Sequence, residues 1–173
     1  MIQLRQFAAV AITIGLMVFP AYAADELDYP FIKEAWEKSM RVREFLSLQE
    51  EVGKLCGTSV TSAFEKWKTE NAAALTHFAR VRKGMEAGIA KSAPAGESPD
   101  SVFKIYDDMI AKSVREGVAR LSGLSETQRV AGCQRWGELL VQPGSPIREK
   151  IHDQLGYFAQ HEAQIRKNFQ VPD

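Results

Sequence analysis

Strand signals are missing from this chain. No stretch alternates apolar and polar residues over strand length, and no Asn-Gly or Asp-Gly hairpin pair occurs, so a sheet-based architecture is excluded. Histidine is scarce, limited to His77, His152 and His161, and none repeats the His-Glu-x-x-His spacing of a helical metal site. His152 with Asp153, and His161 with Glu162, are sequence neighbours. On a helix such neighbours point about 100° apart and do not converge on one ion. No Cys-x-x-Cys-His run exists for covalent haem attachment. No Gly-x-Ser-x-Gly elbow and no phosphate-cradling glycine loop occurs either. Asp107 and Asp108 are a carboxylate pair, but side by side on a helix they diverge and form a solvated face. The reading is therefore of a non-catalytic protein with no cofactor and no metal.

Charge of one sign is also lacking. The chain of 173 residues carries 22 basic and 22 acidic side chains. Such a balance creates no long-range field to gather nucleic acid or an anionic membrane surface.

What is present starts at the N-terminus. Arg5 precedes an apolar run from Phe7 to Phe19, followed by Pro20 and the small residues Ala21 and Ala23. A charged start, a short greasy core and small residues at −3 and −1 of a cut are the parts of a secretory signal peptide. The expectation is cleavage after Ala23, leaving a domain over residues 24–173. The 13 apolar positions fall short of the ~20 needed to span a bilayer, and no cysteine follows them to accept a lipid. Once cut, no stable membrane anchor is expected, and the protein should work in the periplasm or outside the cell. Cleavage removes only Arg5 from the charge balance.

Cys56 and Cys133 are the two cysteines, an even number in an oxidising compartment, and one intramolecular disulfide is expected. Closing so long a loop would stabilise the fold by up to about 4.5 kcal/mol in the chain-entropy picture.

Apolar periodicity then divides the chain into about five helices. The first starts near Pro30 and carries Ile32, Trp36, Met40, Phe45, Leu48, Val52 and Leu55 on one face, with room for a break near residues 39–43. Capped by Thr58 or Ser59, the second runs to Lys91 with the stripe Val60, Phe64, Trp67, Asn71, Leu75, Phe78, Val81 or Arg82, Met85 and Ile89. Residues 92–99 read as a proline-bearing loop and a mobile connector. Ser98 and Pro99 open a third helix along Phe103, Tyr106, Ile110, Val114, Gly117 and Leu121. Ser125 and Gln128 form a capping box for a fourth, with Val130, Cys133, Trp136 or Gly137, and Leu140 inward. Ser145 and Pro146 begin the last, along Ile147, Ile151, Leu155, Phe158, Glu162, Ile165 and Phe169. The expectation is a single-domain all-α bundle with antiparallel neighbours.

Three local features stand out. Asn71 lies on the apolar stripe of the second helix, where an unpaired amide would cost about 1–3 kcal/mol, so it is expected to bond a backbone carbonyl or a loop and fix helix register. Gly84 and Gly88, four apart, allow close approach of another helix, Gly117 being one candidate, or loosen the helix end. Leu124-Ser125-Glu126-Thr127-Gln128 is similar to the Leu-Thr-x-x-Gln signature of the small helical periplasmic chaperones of the Spy and CpxP family, with Ser125 in place of Thr and no second copy. The capping box accounts for the same residues.

With no catalytic constellation, the function expected is binding of another periplasmic or secreted protein, in the manner of a chaperone, inhibitor, immunity protein or adaptor. The alternative is a small-molecule or ion carrier, its pocket lined by Trp36, Trp67, Tyr106 and Trp136.

Overall fold

The computed structural model describes residues 27–92 and 98–171. The N-terminal segment expected to be a signal peptide, residues 1–23, and residues 93–97 of the proline-bearing loop lie outside the described residues. Those described form seven helices: α1 Tyr29–Cys56, α2 Thr58–Glu70, α3 Ala72–Ser92, α4 Pro99–Ser122, α5 Glu126–Val141, α6 Pro146–Gln160 and α7 Glu162–Asn168. The fold is all α, as the apolar periodicity requires.

The helix starts follow the cap chemistry written in the sequence. The Asp28 carboxylate accepts from the Phe31 amide at 3.0 Å, Ser98 Oγ from Asp100 N at 3.3 Å, and Ser145 Oγ from Arg148 N at 3.3 Å, each ahead of a proline in the first turn. Ser125 and Gln128 make both bonds of a capping box. The start of α2 differs from expectation. Gly57, not Thr58 or Ser59, is its N-cap, because one residue joins α1 to α2 and takes φ 67°, a left-handed conformation that glycine adopts without steric cost. α1 runs unbroken through residues 39–43, and the Ser39 hydroxyl, fully buried, is satisfied by donating to the Trp36 carbonyl at 2.8 Å.

Two expected helices are each divided, which turns five into seven. Asn71 interrupts the second helix at φ −109°, ψ 14°, and its Nδ2 donates back to the Trp67 carbonyl at 2.8 Å. His161 interrupts the last at φ −112°, ψ 13°, with Nδ1 3.0 Å from the Tyr157 carbonyl. In both, a short polar side chain turns onto the carbonyl four residues back, offering the backbone an alternative to straight helix. Asn71 is half-buried at this bend.

Each helix of the first half packs beside the helix three places later: α1 with α4, α2 with α5, and α3 with α6. Trp36 meets Tyr106, the Glu44 carboxylate accepts from Ser113, and Leu48 faces Gly117, so α1 and α4 run in parallel. The sequence neighbours α1 and α2 are antiparallel, with Phe45 against Trp67 and Gly53 against Thr61. Gly137 lets α5 close onto α2: a Cβ there would stand 2.8 Å from the Ser59 carbonyl oxygen.

The core joins residues from all seven helices, with Trp36, Trp67 and Phe158 among its largest fully buried side chains. Burial of such side chains supplies most of the driving force, about 1.5–3 kcal/mol each for the apolar ones. Cys56 and Cys133 form the expected disulfide, with Cα atoms 5.4 Å apart, tying the end of α1 to the middle of α5. The charged face of α1 carries the i,i+4 pairs Lys33 with Glu37 and Lys38 with Glu34. No helix among the described residues is long and apolar enough to cross a membrane.

Candidate functional site

The bend at Asn71 creates the most chemically distinctive surface. α2 lies on α1, whereas α3 swings away to pack on α6 and α7. An open cleft of about 290 Å³ is left between α1 and α3. Its apolar lining comes from Leu46, Phe78 and Ala79; its polar lining from Arg43, Ser47, Arg82, Lys83 and Glu86. The α3 members are spaced three and four apart and therefore share one helical face.

Three cations meet here. Arg43 Nη1 binds the Asp107 carboxylate of α4 at 2.6 Å. Arg82 pairs with Glu86 one turn along α3, while its Nε is buried without a hydrogen-bond partner among the described residues. Lys83 is exposed. Burial, and then the like charge of Arg43, hold the Arg82 guanidinium below its usual value, with Glu86 and Asp107 pulling the other way. The group stays charged at neutral pH, since a guanidinium is not discharged in proteins. Two arginines forced together beside an apolar floor favour any incoming anion, which relieves their repulsion and offers charge-assisted hydrogen bonds.

Sequence reasoning did not find this cleft. One signal was present: the apolar stripe hesitates between Val81 and Arg82, and the structure uses both, Val81 in the core and Arg82 in the cleft.

A second polar cluster lies where α3 meets α7. Glu162 takes Arg80 at 3.2 Å and has His77 Nε2 at 3.7 Å; that same nitrogen is 3.4 Å from the Phe158 carbonyl. His161 stacks on Tyr157 with ring centroids 4.2 Å apart, and His152 is exposed on α6. Among the described residues no group of three or more His, Cys, Asp or Glu side chains is placed to hold a metal. Asp107 and Asp108 part company, the first to Arg43 and the second to Lys104 at 2.7 Å.

Of the aromatics named for a carrier's pocket, Trp36 and Tyr106 meet edge to face with ring centroids 5.4 Å apart. Trp36 packs on Phe103 and Tyr106, and Trp67 on Phe45 and Phe64. Trp136 Nε1 donates to Gln49 Oε1 at 2.7 Å, joining α5 to α1. Gly84 and Gly88 do receive a close segment, but it is the C-terminal tail and not Gly117, which faces Leu48. A Cβ at Gly88 would stand 1.7 Å from the Phe169 carbonyl oxygen, and one at Gly84 2.6 Å from Val171 Cγ1. No family model, curated protein or solved structure matches the chain.

Proposed function

We propose that the protein is an exported, non-catalytic binding module of the cell envelope, working in the periplasm or outside the cell on another protein. The observation that carries this reading is the cleft between α1 and α3. It is open, so it suits a protruding part of a partner better than an engulfed small molecule, and it sets arginine beside an aromatic and aliphatic floor. Arginine and aromatic residues are the types over-represented at protein interfaces. The Cys56 to Cys133 bond supports the compartment, because disulfides persist in oxidising surroundings. The N-terminal pattern supports export, with a cut after Ala23.

The test is in vivo crosslinking followed by affinity capture of the oxidised protein and mass spectrometry. A specific envelope protein recovered at near-stoichiometric yield is the expected result. Recovery of none, or an intact mass showing residues 1–23 still attached, would overturn it.

A further inference from the structure

We propose that the α1/α3 cleft receives an acidic side chain next to an apolar one on a protein partner, the carboxylate entering between Arg43 and Arg82. This deepens the binding-module reading and rests on it. The apolar neighbour would lie against Phe78 and Leu46, which line the same cleft.

Charge sets the sign of the ligand. Arg43, Arg82 and Lys83 face Glu86 and Asp107, three cations against two carboxylates. A guanidinium has five N–H donors in a fixed fork suited to carboxylate. Glu86 and Asp107 occupy only part of the two forks, and Arg82 Nε is buried with its proton unmatched among the described residues. Arg82 Nε is out of reach from the cleft, but the Arg43 and Arg82 side chains keep 26% and 20% of their surface exposed, and an added carboxylate can take the terminal N–H groups that remain there.

Size and composition set the class. A cleft of about 290 Å³ lies at the small end of sites that hold whole ligands, and it fits one or two side chains of a larger partner. A membrane surface is disfavoured, because lipid-binding patches cluster about four to eight unpaired cations and this one has three, two of them already paired. The apolar floor would go unused by inorganic phosphate.

The test is a two-dimensional amide NMR titration of the oxidised, exported protein. The probe is an N-acetylated, C-amidated peptide of alternating leucine and glutamate. Its glutamine counterpart, inorganic phosphate and phosphatidylglycerol vesicles are the comparison arms. The expected result is perturbation centred on residues 43–47 and 78–86, with the glutamate peptide binding at least about tenfold tighter than the glutamine one. Arg43→Gln should abolish that preference. Lys83→Gln, at an exposed position that leaves folding intact, should weaken it by about two- to threefold.

Equal binding of the two peptides, shifts centred elsewhere, no binding, or tighter binding of phosphate or vesicles would each overturn the inference. A crosslinked partner mapped to another face would sink the cleft while leaving the binding-module reading standing. Peptide binding at the cleft with no partner captured in vivo would do the reverse.

Discussion

The Trp136 indole of α5 donates to the Gln49 side-chain oxygen of α1 at 2.7 Å, across 87 positions of sequence. Gln49 is 1% exposed, and its Nε2 has no hydrogen-bond partner among the described residues. The two ends of this bond are therefore unequal. Trp136→Phe strands the remaining polar atom of a buried amide and should cost about 2–3 kcal/mol. Gln49→Leu removes both the acceptor and the orphaned donor, while the half-buried indole can turn to water, so its cost should stay below about 1 kcal/mol. Urea unfolding of both variants and the double variant checks the order and the coupling.

The disulfide closes a loop of 77 positions and fastens α5 to the far end of α1. Cys56→Ala with Cys133→Ala should lower stability by up to about 4.5 kcal/mol, and the untreated native protein should show no free thiol. Urea midpoints with and without reductant measure it. An unchanged midpoint would contradict the chain-entropy account, in which the bridge acts by constraining the unfolded chain.

Gly88 and Gly84 meet the tail differently. The neighbour at Gly88 is a backbone carbonyl at 1.7 Å from a built Cβ, whereas at Gly84 it is a valine methyl at 2.6 Å. Backbone yields less readily than a side-chain tip. Replacing a helical glycine with alanine gains about 1 kcal/mol of helix propensity. Gly88→Ala should nonetheless lose about 1–3 kcal/mol by lifting the Phe169 segment, while Gly84→Ala should fall within about 1 kcal/mol of neutral. Thermal melts, with hydrogen exchange at residues 165–171, separate the two.

The Tyr157 hydroxyl is buried without a hydrogen-bond partner among the described residues, and its ring stacks on both Phe31 and His161, which also contact each other. Burial first, then the carboxylates of Glu34 and Asp28, push its phenol up to about 12. In the unfolded chain it ionises at the ordinary phenol value of 10.0. The native state therefore holds this proton more tightly, so the contribution is fully present below pH about 10 and is lost as pH rises toward 12. Stability should fall through that window in the native protein, and Tyr157→Phe should flatten the fall while matching or slightly exceeding native stability at pH 7. Tyr106 is also raised, chiefly by burial. Absorbance titration of the phenolates in both proteins assigns the late step.

Asn71 offers a sharper separation of roles. If its amide only satisfies the Trp67 carbonyl, Asn71→Leu should cost about 0.5–1.5 kcal/mol and leave the oligomeric state unchanged. If it fixes register, the variant should also change mass in solution or straighten the α2 to α3 bend. Sedimentation and chemical-shift mapping of residues 67–75 distinguish these outcomes.

Much of the architecture was legible because it rests on local chemistry. Asp28, Ser98, Ser125 and Ser145 announce helix starts by side chains that reach only two or three residues ahead. The bends at Asn71 and His161 were not, because a stripe of apolar residues continues across a kink with little change in spacing. Asn71 itself was the clue, as an amide where the stripe calls for an apolar residue. The cleft was less legible still. It exists because α3 leaves α1 for α6 and α7, a choice made by residues more than 70 positions away, and nothing local marks Arg43 and Arg82 as neighbours.

One clasp bears on the order in which the fold can form. The Asp28 amide, at the cap of the first helix, donates to the Asn168 side chain of the last at 2.8 Å. A chain delivered N-terminus first presents α1 long before its partners α4 and α6, and the residue that locks its start comes among the last. A protein shortened by α7 would therefore lose this clasp, while the Asp28 carboxylate would still cap the first turn of α1.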